Sequence, residues 1–417
     1  MDLPGVPAEL LQTLAASAGP GPIALVGGAV RDLLLHRVHQ DPWRGLPDLD
    51  LVVEGLPAAR EAAAVRLARR LEACSDGRLL AWREHGAYGT VELELAQATA
   101  GPIKLDVATA RREHYPVAGD NPVVCFGRLV DDLARRDFTI NAMALRLTVA
   151  DGDAPAPDLL DPHGGQADLQ HRLLRFLHPA SLRDDPTRLV RAARYAARLG
   201  FSLAPESALQ VSRTLALWPW AWRPGDPPAQ APAGLGTRLR MELELLLERE
   251  PWPRALEALQ GWGGLVLLDP ALQADPTWRR RLGRADRLGL PRMVALIATA
   301  ADPLGLAQRL QLPHRQQHLL QGLEVLRQRL AQAGEGDSAL HWTNLLEGHG
   351  LPSEAVALAL AAGVGPRRPL LRWWLRWRHL GPGTSARELM AAGLPSGPAL
   401  GERLRGMRAA RLQRERP

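Results

Sequence analysis

Lysine, cysteine and long apolar runs are all scarce in this 417-residue chain. A single lysine, Lys104, stands among 51 lysines and arginines, so nearly all the positive charge is arginine. Cys74 and Cys125 lie far apart without metal-ligand spacing, which argues against a zinc site and favours a reducing compartment. No apolar run approaches the roughly 20 residues that span a bilayer, and the N-terminus lacks the pattern of a signal peptide. We therefore expect a cytoplasmic protein without a membrane segment.

Arginine, by contrast, is abundant, and the chain is basic. Its net charge is +6 and its isoelectric point is near 10.2, which fits a polyanionic partner. Guanidinium groups also match phosphate geometry well. A GC-rich genome that favours Arg, Ala, Gly and Pro codons explains the same bias, so composition alone identifies no partner. With 46% apolar residues, the chain is long enough for several packed domains.

A glycine turn followed by two aspartates is the most informative local pattern. The apolar run Ile23 to Val26 ends in Gly27-Gly28-Ala29-Val30-Arg31-Asp32, where a helix pattern begins. A second apolar run, Leu49 to Val53, carries Asp50 and is preceded by Asp48. Because strand side chains alternate between faces, both carboxylates point to one face. Two acids beside a phosphate-binding turn suit Mg²⁺ and a nucleoside triphosphate.

Two other interpretations compete for this pattern. A dinucleotide-binding fold would use the turn for phosphate and an acid about 20 residues on for the ribose. However, the glycines are adjacent rather than spaced as G-x-G-x-x-G, and Arg31 stands where helix packing needs a small residue. The simpler interpretation makes Asp48 a turn residue and Asp50 an exposed strand residue. The aspartate pair alone does not exclude it.

Two further stretches favour the interpretation as a metal and nucleotide site. They are Arg135-Arg136-Asp137-Phe138-Thr139-Ile140-Asn141-Ala142-Met143-Ala144 and Asp184-Asp185-Pro186-Thr187-Arg188-Leu189-Val190-Arg191-Ala192-Ala193-Arg194. With the glycine turn, and in this order, they resemble the bacterial class II tRNA nucleotidyltransferases, the CCA-adding enzymes. Bacterial poly(A) polymerase shares the pattern. The resemblance also includes Leu160 to Gly165, Asp168-Leu169 and Gly393 to Gly401, so it spans nearly the whole chain.

The resemblance implies an α+β protein. The N-terminal head would be a nucleotidyltransferase core, like that of DNA polymerase beta, with a small mixed sheet. Strand patterns at Thr90 to Leu95 and Ile103 to Val107 agree with this, and later residues show amphipathic helix patterns. An elongated all-α neck, body and tail would follow. The expected bounds are 1–150 for the catalytic head, 151–230 for the base-selecting neck, 231–330 for the body and 331–417 for the tRNA-binding tail.

The metal ligands implied by the resemblance lie in the head. Asp48 and Asp50 would hold Mg²⁺ ions that help deprotonate the RNA 3′-hydroxyl and neutralise the leaving pyrophosphate. Asp106 is a candidate third catalytic carboxylate or, equally well, a buried hydrogen-bonded acid. Relative to the family, His39 to Pro47 lengthens the link before Asp48, and we expect an added surface loop there.

The nucleotide contacts implied by the resemblance come from all three motifs. Asn141 would support the loop that holds them, and a solvated helix start is the alternative for Arg135-Arg136. The implied nucleotide-binding residues are Gly27, Gly28, Arg31, Arg136, Asp137, Asp185, Arg188, Arg191 and Arg194.

Asp185 and Arg188 also permit a direct physical argument, because they are neighbours at i and i+3 on a helix. Cytosine and adenine each present an amino donor beside a ring acceptor, which a carboxylate and a guanidinium satisfy. Uracil and guanine present the reverse pattern, and each unpaired buried group costs about 1–3 kcal/mol. Asp185 before Pro186 is also a helix N-cap pattern, and the two roles can coexist. Asp184 stands where the family usually has Glu, so we assign it no base contact.

Basic residues near the end of the chain are expected to hold RNA. Arg367 to Arg378 interleaves arginine with tryptophan, a combination that stacks on RNA, although tryptophans at helical spacing are more often core.

Trp218 to Gly234, rich in Pro, Gly and Trp, is expected to be a linker or surface loop. Arg111 is either an RNA contact or a solvated residue. The implied RNA-binding residues are Arg111, Arg403, Arg405, Arg408 and Arg411.

We therefore expect a metal-dependent enzyme that adds the C and/or A residues of the CCA end to tRNA from CTP and ATP without a template. Enzymes that add only CC or only A, and poly(A) polymerase, share these motifs and remain alternatives. A non-catalytic RNA-binding protein is a distant alternative, which a missing Asp48 or Asp50 would favour. The sequence does not indicate an oligomeric state.

Overall fold

The chain forms two compact units in a computed structural model. The first unit comprises Met1–Ala221, Pro232–Gly234 and Glu250–Trp262, and the second comprises Trp222–Ala231, Leu235–Arg249 and Gly263–Pro417. The structure describes residues 4, 6–18, 21–43, 45, 49–55, 61–74, 78–85, 89–96, 102–147, 158–333, 338–348 and 350–415. Asp48 lies outside the described residues.

A seven-stranded mixed sheet forms the centre of the first unit. The strands, in chain order, are β1 Ile23–Val26, β2 Leu49–Val53, β3 Leu79–His85, β4 Thr90–Leu95, β5 Ile103–Thr109, β6 Arg111–His114, β7 Val123–Phe126, β8 Ala144–Leu147, β9 Asp158–Leu160, β10 Leu173–Leu174 and β11 Ser202–Leu203. The order in the large sheet is β3-β4-β5-β2-β1-β8-β9. Strands β2 and β5 are parallel, and the other neighbours in this sheet are antiparallel.

Helices account for most of the remaining described residues. In chain order they are α1 Ala8–Ala18, α2 Gly28–Arg37, α3 Ala63–Cys74, α4 Leu129–Ala134, α5 Gly165–Gln170, α6 Ser181–Asp184, α7 Thr187–Leu199, α8 Pro205–Leu217, α9 Thr237–Arg249, α10 Trp252–Gly261, α11 Pro270–Ala274, α12 Trp278–Arg287, α13 Arg292–Ile297, α14 Pro303–Arg309, α15 His314–Gln332, α16 Ala339–Glu347, α17 Ser353–Ala362, α18 Arg367–Leu375, α19 Ala386–Ala391 and α20 Pro398–Gln413. Helices α9 and α11 to α20 belong to the second unit.

At β4 and β5 one face of the sheet is covered and the other is exposed, as the alternation in the sequence predicts. On β4, Val91 and Leu93 are fully buried, whereas Glu92 between them is partly exposed. On β5, Leu105 is buried and Asp106 beside it is exposed. Helices α1, α2 and α3 contact the sheet, and the period-two pattern turns the polar side chains to the other face. Asp50 and Asp106 lie on this second face, which helix α4 partly covers at β1 and β2.

The predicted α+β class is confirmed. The second unit contains no strand among its described residues, in agreement with the helical pattern of the sequence. Strand β9 extends the large sheet beyond the expected end of the head at residue 150; the four-part domain division stays a prediction. None of the described helices combines the length and the apolar character that crossing a membrane requires.

Half of the twelve tryptophans are buried. Trp373 and Trp377 are buried in the second unit, while Trp374 is partly exposed with the Arg378 guanidinium 3.5 Å from its ring centroid. In the segment expected to be a linker, Trp220 and Trp222 are also buried. Most other residues of Trp218 to Gly234, the expected linker or surface loop, are exposed, so this segment is a surface loop anchored by its buried aromatic rings.

Candidate functional site

Three residues from distant parts of the sequence meet at the glycine turn. Gly27 has φ 70° and ψ −133°, a conformation that strains other residue types. A methyl group on Gly27 would lie 3.0 Å from Nη1 of Arg136 and 3.6 Å from Oδ2 of Asp50. The turn before α2, the Asp50 carboxylate on β2 and the Arg136 guanidinium after α4 therefore lie next to one another.

Asp50 and Asp106 are direct neighbours on the same face of the sheet. They are register partners in the parallel pair β2 and β5, and register partners on adjacent strands share a face. Mg²⁺ favours one or two carboxylates together with phosphate oxygens and water, so this pair beside the turn fits such an ion. No cluster of three or more His, Cys, Asp or Glu side chains suited to a metal occurs among the described residues, which exclude Asp48.

Arg136 is directed toward the turn by a buried acid. Its Nη2 donates to Oδ2 of Asp132 at 3.0 Å, and Arg135 donates to Oδ1 of the same carboxylate. Burial by itself raises the pKa of Asp132. The combined effect of the Arg136 and Arg135 guanidinium groups is opposite and larger, so this pKa lies below its usual range. Nε of Arg136 is buried and has no hydrogen-bond partner among the described residues. Arg136 thus keeps hydrogen-bonding capacity at the turn.

A buried carboxylate connects the turn to helix α7. Oδ1 of Asp137 accepts from the Phe138 N–H at 2.8 Å and from Nδ2 of Asn141 at 3.0 Å. Oδ2 accepts from Nε and Nη2 of Arg191 at 2.8 and 2.7 Å. Oδ1 of Asn141 accepts from Nη1 of Arg31 at 2.8 Å. The chain Arg31, Asn141, Asp137, Arg191 therefore links helix α2 to helix α7.

Arg31 is a buried member of this chain. Only 4% of the residue is exposed; its Nε donates to Asp32 at 2.8 Å, and its guanidinium lies 5.2 Å from the ring centroid of Tyr195. A methyl group on Gly28 would lie 3.5 Å from Nη2 of Arg31. These contacts place Arg31 against the turn as a positioning residue, and its expected contact with phosphate stays a prediction.

Asp185 and Arg188 are both buried next to each other at the start of α7. Oδ1 of Asp185 accepts from the Thr187 N–H at 3.1 Å and from its Oγ1 at 2.6 Å, so the capping role is present. Arg188 donates to the carbonyls of Ser181 at 3.3 Å and Arg135 at 2.9 Å. Base selection by the pair stays a prediction.

A cavity of about 440 Å³ opens between the β6 region, α4 and the α6–α7 region of the first unit. Its volume is in the range of small-molecule sites. Sequence reasoning did not identify Arg112, Arg183 or His178 as lining residues, because none belongs to a recognised motif. Burial and the charge of Arg188 lower the pKa of His178, against the opposing effect of Asp184. The lining residues are Arg112, Glu113, His114, Tyr115, Asp131, Ala134, Arg135, His178, Arg183, Asp184 and Arg188.

Two other predicted contact residues are bound to acids within the first unit. Nε of Arg194 donates to the buried Glu250 at 3.3 Å. Arg111 donates through Nε and Nη2 to Oε1 of Glu113 at 3.1 and 2.8 Å. Neither residue is part of the group around Gly27 and Asp50.

The predicted RNA-binding arginines of helix α20 differ in their surroundings. Arg408 forms a two-bond ion pair with Glu347 at 2.5 and 2.6 Å, and Arg411 donates to the Gly381 carbonyl at 2.8 Å. Arg403 and Arg405 are exposed. Part of this basic segment thus stabilises the second unit.

Comparison with known proteins identifies the family. Residues 23–175 match the Poly A polymerase head domain family. The chain is 41% identical over 314 residues to a CC-adding tRNA nucleotidyltransferase of Deinococcus radiodurans, which covers 74% of this chain and 72% of that protein. This chain belongs to the bacterial tRNA nucleotidyltransferase family. The predicted class of enzyme, a nucleotidyltransferase, is thereby confirmed.

This chain aligns with very different shares of two other related proteins. An A-adding tRNA nucleotidyltransferase of Aquifex aeolicus is 37% identical over 242 residues, which is 56% of this chain but only 24% of that protein. The solved apo form II of a CCA-adding enzyme has a TM-score of 0.69 at 24% identity and covers 98% of this chain and 93% of its own. This likeness confirms the fold.

The Asp137 carboxylate makes stability depend on acid pH. Burial raises its pKa, but Arg191 and Asn141 lower it more, so the folded pKa lies below the unfolded value of about 3.9. Its stabilisation is present above the unfolded pKa and is lost as pH falls through the folded pKa. We expect Asp137→Asn to lower the unfolding free energy at pH 7 by about 1–3 kcal/mol, because the charge-assisted hydrogen bonds to Arg191, itself partly exposed, are lost.

Thermal or urea unfolding at pH 7 and in steps down to pH 3 measures this effect. The gap between wild type and Asp137→Asn should narrow only below about pH 4. Asp158→Asn, which breaks an exposed pair with Arg146, is the control and should change stability by under about 1 kcal/mol. A gap that is constant over the whole range would contradict the assigned charge state.

Proposed function

We propose that this enzyme adds C and/or A residues of the CCA end to tRNA 3′ termini from CTP and ATP, with Mg²⁺ and without a nucleic-acid template. The observation that carries the proposal is the convergence of Gly27, Arg136 and Asp50, with Asp106 in register beside them. It joins a close-approach backbone turn, a guanidinium and carboxylates, which nucleotidyl transfer requires. The names of the relatives from Deinococcus radiodurans and Aquifex aeolicus supply the substrate class.

Members of this family generally use divalent metal ions. In our proposal Asp48 and Asp50 hold Mg²⁺, which when bound supplies charge neutralisation on the triphosphate and activation of the RNA 3′-hydroxyl. Asp106, in register with Asp50, is the proposed third carboxylate. Gly27 keeps side-chain bulk away from the phosphates, and Arg136 donates to them from beside the turn.

Base selection is assigned to the start of helix α7. Arg188 donates to two backbone carbonyls and lines the cavity, so its guanidinium is fixed while other N–H groups of its five remain for a base. Asp185 is held beside it by Thr187. A fixed donor and a fixed acceptor accept the edges of cytosine and adenine and leave uracil and guanine with unpaired groups.

Addition of CC only, addition of A only, and poly(A) synthesis remain alternatives. The relative from Deinococcus radiodurans, which adds CC, aligns with a larger share of this chain than the A-adding relative from Aquifex aeolicus. The cytoplasm, where tRNA ends are completed, is the proposed compartment.

A panel of tRNAs tests the function directly. Purified protein receives tRNAs that end before the CCA end, after the first C, or after CC, each with one labelled nucleoside triphosphate. We expect label from CTP, from ATP or from both, at defined positions. Long A tails on any RNA would favour the polymerase alternative, and no incorporation on any tRNA would refute the proposal.

Loss of Asp50 should abolish chemistry but not RNA binding. We expect Asp50→Ala and Asp48→Ala each to lower the rate of addition at least 10³-fold, because the proposed metal ligands act on charge in the transition state. Affinity for tRNA should be nearly unchanged, since it depends mainly on phosphate contacts elsewhere. Glu84→Ala, an exposed acid on β3, is the matched control. Near-normal turnover in either aspartate variant would overturn the metal assignment.

Loss of Arg188 should relax base selection. We expect Arg188→Ala to slow addition of the proper nucleotide and to raise UTP and GTP use relative to it about tenfold or more, because both the attractive contact and the mismatch penalty disappear. The measurements are kcat/KM for all four triphosphates on one tRNA and a melting curve. A purely structural Arg188 would give a lowered melting temperature and an equal loss for all four.

The two kinds of arginine on helix α20 should behave differently. We expect the double variant Arg403→Ala, Arg405→Ala to weaken tRNA binding and to reduce the slope of log affinity against log salt by about 1–2, with an unchanged melting temperature. Arg408→Ala should lower the melting temperature, because Glu347 loses its ion pair. Dissociation constants measured at several salt concentrations test this expectation. An unchanged slope in the double variant would show that Arg403 and Arg405 are only solvent-exposed residues.

A further inference from the structure

The tryptophan-bearing segment of the first unit reaches the base-selecting region. Trp220 is 3% exposed, and its Nε1 donates to the backbone carbonyl of Arg183 at 2.9 Å. The ring of Trp218 packs edge-on against it, with centroids 5.1 Å apart. Neither tryptophan belongs to the motifs that identify the family, and no role in nucleotide addition is assigned to them above.

The loop between β6 and β7 is held against the same place. Gly119 has φ +77°, its N–H donates to the Asp184 carbonyl at 3.2 Å, and its carbonyl accepts from the Gly234 N–H at 2.7 Å. A methyl group on Gly119 would lie 2.6 Å from Cδ1 and 3.1 Å from Nε1 of Trp220. Only glycine fits both the backbone angle and the space below the indole.

Gly234 completes the contact from the far end of the tryptophan-bearing segment. A methyl group on Gly234 would lie 2.6 Å from the Gly119 carbonyl oxygen and 2.9 Å from Cδ of Pro186. Residues 183 to 186 are therefore approached by the Trp220 indole, the Gly119 amide and the Gly234 backbone. This stretch is followed directly by the turn that carries Thr187 and Arg188.

The hydrogen bonds satisfy groups that would otherwise be unpaired. Arg183 and Asp184 lie in the last turn of α6, a four-residue helix, where carbonyls lack partners within the helix. The Trp220 indole and the Gly119 amide provide those partners. Since Asp185 has an extended backbone, φ −141° and ψ 96°, the link between α6 and α7 is not fixed by continuous helix. The position of this link therefore depends on contacts from other segments, such as those of Trp220 and Gly119.

We propose that Gly119, Trp220 and Gly234 form a clamp that positions Asp185 and Arg188 and thereby determines nucleotide specificity. The inference rests on the proposed function, because it assigns base selection to that pair. The three are positioning residues: Trp220 and Gly119 donate to the carbonyls of Arg183 and Asp184, and Gly234 donates to Gly119 and leaves room for the Pro186 ring. Base reading by two side chains requires their placement within about 0.5 Å, so a shift of this stretch affects the choice among bases before it affects stability.

A pair of glycine variants tests the clamp. Gly119→Ala strains a positive φ and displaces Trp220. Gly200→Ala strains a similar φ of +73° at the end of α7, where an added methyl group has no neighbour within 4 Å. Trp220→Phe is a milder variant that keeps a ring and removes the Nε1 donor to Arg183. All are made in the full chain.

The measurements are kcat/KM for CTP, ATP, UTP and GTP on a tRNA lacking its CCA end, with a melting curve for each protein. We expect Gly119→Ala to lose tenfold or more of the discrimination against UTP and GTP, and Trp220→Phe to lose a smaller factor in the same direction. Gly200→Ala, which adds backbone strain without displacing a neighbour, should lower the melting temperature and keep the wild-type ratios. If Gly119→Ala does not fold, the ratios of Trp220→Phe decide.

Wild-type ratios in folded Gly119→Ala and Trp220→Phe would overturn the clamp, as would equal changes in Gly200→Ala. This failure is distinct from failure of the proposed function. In the first case wild type still selects C or A and only the clamp is refuted. In the second, wild type adds neither nucleotide.

Discussion

A buried aspartate that must stay ionised organises the first unit. Asp137 lies out of contact with water, and a carboxylate there is tolerated only when its charge is paired and its oxygens are hydrogen-bonded. Arg191 supplies the charge, and Asn141 and a backbone N–H supply further donors. Because the donors come from different elements, satisfying this one carboxylate fixes helix α7 against the turn that carries Asn141, and through Arg31 against helix α2.

The proposed chemistry depends on this arrangement in two ways. Helix α2 begins at the glycine turn, so its position sets where Gly27 meets Arg136 and Asp50. Arg188 lies in the first turn of helix α7 and Asp185 just before it, so the position of α7 sets the proposed base-selecting pair. A nucleotide must have its phosphates at the first place and its base at the second. The hydrogen-bonded chain from Arg31 through Asn141 and Asp137 to Arg191 fixes the distance between these two places. This role explains why polar groups are buried here.

Much of the fold follows from the sequence, because local periodicity determines it. The runs Ile23 to Val26 and Leu49 to Val53 are strands with the predicted bounds, and the alternation at Thr90 to Leu95 matches its burial. The pairing of Asp50 with Asp106 was not predictable, since strand register between distant segments leaves no local signal. The burial of Trp220 was missed for a similar reason: an irregular Pro- and Gly-rich segment has no period that indicates which side is covered.

The site was predicted as residues rather than as contacts. The motifs named Arg31 and Asp185 as nucleotide ligands, whereas the structure shows that each also has a positioning or capping contact. A double-mutant cycle with Asp137→Asn, Arg191→Gln and the double variant tests the central claim. Unfolding free energy and kcat/KM for CTP should both be non-additive, with a coupling of about 1–3 kcal/mol in each. Additive effects in both quantities would show that this pair does not hold the site together.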